Sequence, residues 1–247
     1  MSTAAPLLSV RGVTVRFGGN LALHDVDLDA AAGRVTGLIG PNGAGKTTLF
    51  NVICGLQRPN AGVVRIDGRD ITRLAPYRRA RAGLARTFQR FELFTLLSVR
   101  ANIRLAADIE RRRRRDRSTD PDRVTDEILA RVGLLGVADA RVDELPTGQA
   151  RLVEVGRALA ARPRVLLLDE PASGQDDRET AAFASLLRDL AADGLAVVLV
   201  EHDVRLVLQV SDVVCVLDFG EVLAVGSPGE IKRNEAVVAA YLGEGVA

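Results

Sequence analysis

The chain has 247 residues, 47% of them hydrophobic and 26% charged, with a formal net charge of +1. These values suit one large α/β domain with a real core, and so balanced a charge offers no field that would attract nucleic acid. No apolar run approaches the ~18 residues of a membrane span, and Met1 to Pro6 form a short polar tail rather than a signal peptide.

The two cysteines, Cys54 and Cys215, lie far apart in apolar segments. Their placement predicts reduced core residues of a cytosolic protein rather than a disulfide or a metal site. We therefore expect chemistry from other residue types.

The first elements predict an antiparallel flap. Residues 7–17 and the alternating apolar positions of 26–30 indicate two strands joined by a turn at 18–20. Phe17, at the end of the first strand, is a candidate to stack on an adenine ring, although its spacing alone favours a core position.

Residues 40–48 fit the phosphate-binding P-loop pattern G-x-x-x-x-G-K-[ST], between an apolar strand at 35–39 and a helical pattern that follows. Glycines let the backbone turn successive N–H groups toward phosphate oxygens, and the following helix adds its positive end. The residues predicted to hold the nucleotide are Asn42, Gly43, Ala44, Gly45, Lys46, Thr47 and Thr48.

Lys46 and Thr47 have specific roles in this prediction. Lys46 should reach the β- and γ-phosphates of ATP, and the Thr47 hydroxyl should ligate Mg²⁺. Only Lys46 and Lys232 are lysine among the 33 basic residues. A compact ammonium fits among phosphates, whereas a planar guanidinium would demand more room.

The segment after the P-loop helix predicts short elements. Residues 63–71 indicate a hairpin through an Asp-Gly turn, 76–82 a short basic helix, and 84–88 a strand that ends at Gln89. Gln89 is placed to touch both a metal site and a partner.

A helical segment follows. Residues 98–110 and 121–132 predict two helices, capped by Ser98 and Asp120. The arginine-rich run between them, residues 111–117, predicts a solvated, mobile loop, and a membrane or nucleic-acid contact by this run ranks below that interpretation.

The second half alternates helices with buried strands. A helix at 149–161 precedes the strand 164–169, and a helix at 178–192 precedes the strand 195–200. The remaining predicted elements are strands at 213–217 and 222–225 and short helices at 228–233 and 235–242.

This order predicts a mainly parallel sheet covered by helices. Ligands of such sheets bind outside the carboxyl ends of the strands, where the P-loop, Asp169, Glu170 and His202 all fall. Asp169 is placed to hold Mg²⁺, directly or through water. Glu170 is placed to polarise an attacking water, and His202 to contact the γ-phosphate.

With these motifs in order, the chain resembles ATP-binding cassette (ABC) ATPases over nearly its whole length. The matching segments are Gly40–Thr48 (Walker A), Gln89 (Q-loop), Leu145–Gln149 (signature motif), Val165–Glu170 (Walker B), Ser173–Asp176 (D-loop) and His202 (switch histidine). The resemblance implies one ABC ATPase domain over 1–247. Its P-loop NTPase core would comprise 1–88 and 164–247, with an N-terminal antiparallel β flap and an inserted α-helical subdomain at 89–163.

The resemblance also implies partners. Two such subunits would close head to tail on two ATP molecules, so that Thr147, Gly148 and Gln149 of one face the γ-phosphate held by the other. A membrane permease would dock near Gln89 at the cytoplasmic face, with a solute-binding protein as an indirect partner and no nucleic acid. Whether the second ATPase is an identical copy stays open.

A finer resemblance is to branched-chain amino-acid importer subunits, in residues 86–89, 200–203 and 240–244. Similar ATPases import urea or amides, and a soluble ABC ATPase of cofactor assembly is a further alternative. A regulatory module that holds ATP without useful hydrolysis also stays open, because Pro146 and Thr147 stand where many members have serine and glycine. Gln175 replaces the usual apolar D-loop residue.

Overall fold

The computed structural model describes residues 5–89, 92–116 and 118–242. The strands are β1 (Leu8–Phe17), β2 (Asn20–Ala30), β3 (Arg34–Ile39), β4 (Ala61–Ile66), β5 (Arg69–Asp70), β6 (Leu84–Arg86), β7 (Val165–Asp169), β8 (Ala196–Val200), β9 (Val213–Asp218) and β10 (Glu221–Gly226). The α-helices are α1 (Lys46–Cys54), α2 (Pro76–Arg81), α3 (Val99–Arg114), α4 (Pro121–Arg131), α5 (Thr147–Ala160), α6 (Asp177–Ala192), α7 (Val204–Val210), α8 (Pro228–Arg233) and α9 (Glu235–Val237). Two 3-10 turns, Leu135–Val137 and Val142–Glu144, and a π-helical turn at Val238–Leu242 complete the secondary structure of these ranges.

The strands form two sheets, and the predicted α/β fold is confirmed. The larger sheet has the order β10-β9-β3-β8-β7-β6. Its strands are parallel except for β10, which pairs antiparallel with β9 at the edge. Because β3, β7 and β8 are parallel neighbours, their carboxyl ends lie at one edge of the sheet, where the predicted site residues follow them.

The smaller sheet is the predicted antiparallel flap, with the order β2-β1-β4-β5. The hairpin from β4 to β5 turns through Asp67 and Gly68, as the sequence predicts. This sheet packs with α1 against one face of the larger sheet, in a core that includes Phe50 and Leu38.

Successive side chains of the central strands point to opposite faces of the larger sheet and contribute to two hydrophobic cores. In β8, Val198 and Val200 belong to the core shared with the flap, while Val197 and Leu199 belong to the core on the other face. Strands buried on both faces are apolar at every position, which explains their continuous apolar runs.

Helices α3, α4 and α5 follow β6 and precede β7 in the sequence, and they pack against one another. A Cβ at Gly156 of α5 would lie only 2.9 Å from Ile103 Cδ1 and 3.3 Å from Ile128 Cγ2, so glycine permits this close approach. The predicted caps are confirmed, because the side chain of Ser98 accepts a hydrogen bond from the Ala101 N–H and that of Asp120 accepts one from the Asp122 N–H.

The prediction of a loop at the arginine-rich run is wrong for residues 111–114, which continue α3. Arg113 and Arg114 both pair with Glu110, which is buried. Burial raises the pKa of Glu110, but these two guanidinium groups outweigh it and hold the pKa below its usual value. Arginine is also a good helix former, and cations favour a helix C-terminus. The helix ends at Arg114 and is capped by Arg115, which has a φ of 54°. Arg117 lies outside the described residues.

Cys54 and Cys215 are buried, as predicted, and both are free thiols. Across the described ranges, no helix combines the length and the apolarity that a membrane crossing requires. Residues 1–4 of the predicted polar tail lie outside the described residues, and so do residues 243 and 244 of the importer-like ending.

Candidate active site

The loop between β3 and α1 has a backbone that glycine makes possible. Gly43 and Gly45 have φ values of 84° and 105°, in the region that side chains rarely adopt. A Cβ at Gly40 would lie 2.0 Å from the Leu217 carbonyl oxygen, so the loop passes directly against β9. No side chain caps α1 at Gly45, and the first N–H groups of the helix are therefore directed at the loop.

Lys46 is buried, and its ammonium lies within the curl of this loop. Its Nζ donates hydrogen bonds to the carbonyl oxygens of Gly40 (2.6 Å) and Pro41 (2.9 Å). Burial lowers the pKa of Lys46, while the charges of Glu170 and Asp169 oppose this shift. The loop therefore carries a positive charge with backbone N–H groups around it, which is the composition of an anion site.

An open cavity of about 670 Å³ surrounds the loop. Eleven of the residues that the sequence singled out line it: Phe17, Asn42, Gly43, Ala44, Gly45, Lys46, Thr47, Thr48, Gln89, Glu170 and His202. Phe17 is 50% exposed, so the core position that spacing alone favoured is wrong, and its side chain is available to a ligand.

Glu170 connects the three polar side chains at the strand ends. Its Oε1 lies 2.7 Å from His202 Nε2, and its Oε2 accepts a hydrogen bond from Gln89 Nε2 at 3.2 Å. Glu170 has a φ of 51°, which a non-glycine residue holds only when its surroundings require it. Strained backbone of this kind is frequent where a side chain must be aimed precisely into a site.

Asp169, the preceding residue, is buried and does not line the cavity. Its Oδ2 accepts a hydrogen bond from Arg86 Nη2 at 2.8 Å, and Arg86 Nη1 donates to Asn51 Oδ1 at 2.7 Å. The Arg86 guanidinium also lies near the Phe88 ring, 4.8 Å from its centre. The sequence analysis included Arg86 in the importer-like segment 86–89 but assigned it no role of its own.

Glu201 is a second residue that sequence reasoning left without a role. It is buried beside the site, where Oε1 accepts a hydrogen bond from the Ala172 N–H (2.6 Å) and Oε2 accepts one from the His202 N–H (3.2 Å). Burial raises the pKa of Glu201, and the two backbone N–H groups oppose that shift. One carboxylate thus joins the loop after Glu170 to the backbone of His202. The available signal was an acidic residue directly after a fully buried strand.

We expect the variant Glu201→Gln to weaken this connection, because an amide has one acceptor oxygen where the carboxylate has two. A hydrogen bond to a charged group contributes ~1.5–3 kcal/mol, so kcat for ATP should fall about tenfold to a hundredfold while the Kd for ATP changes little. Phosphate release and calorimetric titration measure the two quantities. The matched control is Glu127→Gln, at an exposed glutamate of α4. A Glu201→Gln enzyme with unchanged kcat would contradict the expectation.

The predicted signature residues lie elsewhere. Thr147, Gly148 and Gln149 begin α5 and do not line the cavity of their own chain. A Cβ at Gly148 would lie 2.9 Å from Glu179 Oε2 and 3.2 Å from Gln175 Cγ. The signature segment therefore packs on the segment 173–179 of the same chain, and Gln175, one of the departures noted above, forms part of that contact.

The oxygen atoms at the cavity suit a Mg²⁺ ion that is bound mainly by the phosphates of a nucleotide. Within the described ranges, no cluster of three or more His, Cys, Asp or Glu side chains could hold a metal by itself. Thr47, Gln89 and Glu170 nevertheless supply oxygen atoms beside the loop. Mg²⁺ commonly takes only one or two protein ligands and completes its shell with water and substrate phosphates.

The site is a glycine-rich anion loop with a buried lysine. It faces a glutamate, a glutamine and a histidine at the carboxyl edge of a parallel sheet. This arrangement is that of a P-loop nucleotide hydrolase. Residues 23–173 match the family model described as ABC transporter, and residues 221–247 match the model described as branched-chain amino acid ATP-binding cassette transporter. The chain belongs to the ABC transporter ATPase family and is an ATPase.

Curated relatives extend this similarity over nearly the whole chain. The high-affinity branched-chain amino acid transport ATP-binding protein BraF of Pseudomonas aeruginosa is 38% identical, with 97% of this chain and 98% of BraF covered. The corresponding protein LivG of Escherichia coli K12 is 37% identical with the same coverage. The lipopolysaccharide export system ATP-binding protein LptB of Acidithiobacillus ferridurans is 35% identical, with 96% of this chain and 97% of LptB covered.

Solved structures agree with the fold. The ADP conformation of an ATP-binding cassette of an ABC transporter has a TM-score of 0.85 and 29% identity, covering 98% of this chain and 100% of that one. A dimeric cassette in a post-hydrolysis state, bound to ADP and phosphate, has a TM-score of 0.78 and 27% identity, covering 90% of this chain and 98% of that one.

Proposed function

We propose that this ATPase drives a membrane importer for branched-chain amino acids. The observation that carries the proposal is the match of residues 221–247 to the family model described as branched-chain amino acid ATP-binding cassette transporter. The similarity to BraF and LivG over 97% of the chain adds support. In this proposal the chain acts as a peripheral subunit at the cytoplasmic face of the membrane, as the similarity to these transport ATPases suggests.

In this proposal, the polar residues of the cavity bind the phosphates and act in phosphoryl transfer, and Phe17 binds the base. The P-loop N–H groups and the Lys46 ammonium bind the phosphates, and Phe17 contacts the base. Glu170 accepts the proton of the attacking water, and His202, now paired with Glu170, turns to the γ-phosphate. Gln89 donates a hydrogen bond to Glu170, so a change at Glu170 during hydrolysis would move Gln89 and the segment that follows it.

Mg²⁺, when bound with ATP, neutralises charge on the phosphates. Thr47 and Gln89 are the residues that would hold it, because both line the cavity beside the P-loop. Asp169 would act through water rather than directly, since it is buried, does not line the cavity and has its Oδ2 paired with Arg86. The chain would therefore supply a few polar side chains beside the P-loop for a Mg²⁺ ion that binds together with ATP.

The signature residues require a second ATPase subunit. Thr147, Gly148 and Gln149 lie outside the cavity of their own chain, at the N-terminus of a 14-residue helix. Placed against the cavity of another subunit, that helix end would meet the γ-phosphate with its positive pole. The missing serine hydroxyl at Pro146 reduces the polar contact, and the backbone N–H groups remain.

The permease docks beside Gln89, within the helical subdomain that we assign to residues 89–163. The segment between Gln89 and α3 carries apolar side chains that are unusually exposed: Phe94 (48%), Leu96 (74%) and Leu97 (41%). Exposed apolar clusters of this kind mark protein interfaces. A permease at this position would sense Gln89 directly, and a solute-binding protein would act on the permease from the other side of the membrane.

Uptake in the native host tests the transported substrate. We expect deletion of the gene to abolish high-affinity uptake of radiolabelled leucine, isoleucine and valine, and to leave urea and acetamide uptake unchanged. The wild-type gene should restore uptake, and a gene encoding Glu170→Gln should not. Loss of urea or amide uptake instead would replace the substrate class.

A pull-down of the tagged chain from gently solubilised membranes tests the partners. Recovery of multi-spanning permeases with an importer-type solute-binding protein would support the proposal, and the presence or absence of a second ATPase would decide between a heterodimer and a homodimer. Recovery of a lipopolysaccharide export machinery, as the similarity to LptB allows, or of soluble proteins only, would overturn the importer assignment and leave the ATPase chemistry standing.

A further inference from the structure

Phe219 occupies an unfavourable position for its residue type. It lies in the turn between β9 and β10, where its side chain is 90% exposed and its φ is 43°. A bulky aromatic residue with positive φ is a backbone outlier, and full exposure forgoes the free energy of burying the ring. The exposure of the ring is explained if a ligand covers it.

The turn is fixed to the phosphate-binding loop. The Gly220 N–H donates to the carbonyl oxygen of Ala44 in the P-loop (3.1 Å), and the His24 N–H donates to the Gly220 carbonyl oxygen (2.8 Å). A Cβ at Gly220 would lie 2.8 Å from the Ala22 carbonyl oxygen, so the turn passes closely over β2. The backbone of Phe219 is thus held in a constant relation to the loop.

The ring belongs to the apolar part of the nucleotide cavity. Phe219, Phe17, Leu21 and Ala22 all line the cavity that contains the P-loop. They come from three separate places in the chain, the end of β1, the start of β2 and the β9–β10 turn. With the triphosphate on the P-loop, the purine is the part of ATP that needs apolar and aromatic surface.

We propose that Phe219 is a second aromatic contact for the adenine of ATP, in addition to Phe17. The inference rests on ATP binding at the P-loop and is independent of the molecule that the importer carries. Stacking of a base on an aromatic side chain contributes enough for a change in affinity to be measured directly. Phe219 then sets affinity and base preference, while the phosphate contacts stay with the P-loop.

The chain contains no tryptophan, so Phe219→Trp in the full chain gives a single fluorescent reporter. We expect ATP to change its emission, and inorganic tripolyphosphate, which has the phosphates without the base, to leave it unchanged. The matched control is Tyr77→Trp, at a residue of α2 that is 55% exposed and does not line the cavity. Its emission should respond to neither ligand.

Truncation supplies the affinity measurement. We expect Phe219→Ala to raise the Kd for ATP about tenfold, as loss of one stacking contact implies, with the Kd for tripolyphosphate unchanged. Phe219→Tyr should keep wild-type affinity. Phe219→Gly, which accommodates the positive φ, should lose as much ATP affinity as Phe219→Ala, which separates stacking from backbone strain.

Several outcomes would overturn the inference. They are an unchanged ATP affinity in Phe219→Ala, an equal response of Phe219→Trp to ATP and tripolyphosphate, and a response that appears only at protein concentrations where dimers form. The last outcome would assign Phe219 to the subunit interface. Wild-type binding of ATP, measured alongside, keeps a failure of this contact distinct from a failure of nucleotide binding itself.

Discussion

The Glu170→Gln variant should bind ATP as tightly as the wild type and hydrolyse it at least about a hundredfold more slowly, the usual range for loss of a general base. The amide preserves the size of the side chain and can still face Gln89 and His202, which lie 3.2 and 2.7 Å from the carboxylate oxygens. It cannot accept a proton from water. Calorimetric titration gives the Kd, and phosphate release gives kcat.

Two variants control this experiment. Glu127→Gln changes an exposed glutamate of α4 and should leave both quantities at wild-type values. His202→Ala should lower kcat without removing the base, because Glu170 keeps its hydrogen bond with Gln89. Turnover at the wild-type rate in Glu170→Gln would remove Glu170 from the role of base. A parallel loss of ATP binding would mean that the carboxylate mainly supports the loop.

The parts of the site that sequence predicts are those whose geometry is local. The P-loop pattern specifies a strand, a glycine-rich turn and a helix within 20 residues, so the positions of Lys46 and Thr47 follow directly. One further rule, that ligands bind at the carboxyl ends of parallel strands, predicts that Glu170 and His202 lie at the same sheet edge as this loop.

The parts that sequence does not predict depend on which strands become neighbours. Arg86 pairs with Asp169 across 83 positions because β6 lies beside β7, and no periodicity in either segment indicates that. Phe219 reaches the cavity only because its turn is bonded to Ala44.

The arginine-rich run shows that composition alone can mispredict secondary structure. Composition favours a solvated loop for consecutive like charges, but Glu110 lies one helical turn before Arg113 and Arg114 and neutralises part of their repulsion. Local pairing decided the outcome, and residues 111–114 extend the helix. The same compositional rule would hold for a run without an acidic residue at that spacing.

Removing the Arg86 side chain should be the most destabilising single change near the site. In Arg86→Met, the free energy of unfolding should fall by ~3–5 kcal/mol, because the carboxylate of Asp169 would stay buried without its partner. The side chains of Arg86 and Asp169 are only 6% and 4% exposed, so water cannot replace the lost contact. Urea unfolding measures the change. Arg123→Met, which breaks an exposed pair with Glu127, should cost less than ~1 kcal/mol.

The double variant Arg86→Met/Asp169→Asn decides why the pair is present. If the loss in Arg86→Met comes from an uncompensated charge, neutralising Asp169 should recover most of it, since a buried ion pair adds little over neutral groups. Stability would then return while ATP turnover stays low, because Asp169 no longer carries the charge proposed to act on Mg²⁺ through water. Recovery of stability without activity would mean that Arg86 holds a functional carboxylate in place. A double variant as unstable as Arg86→Met would instead assign Arg86 to packing, through its hydrogen bond to Asn51 and its contacts with Phe50 and Phe88.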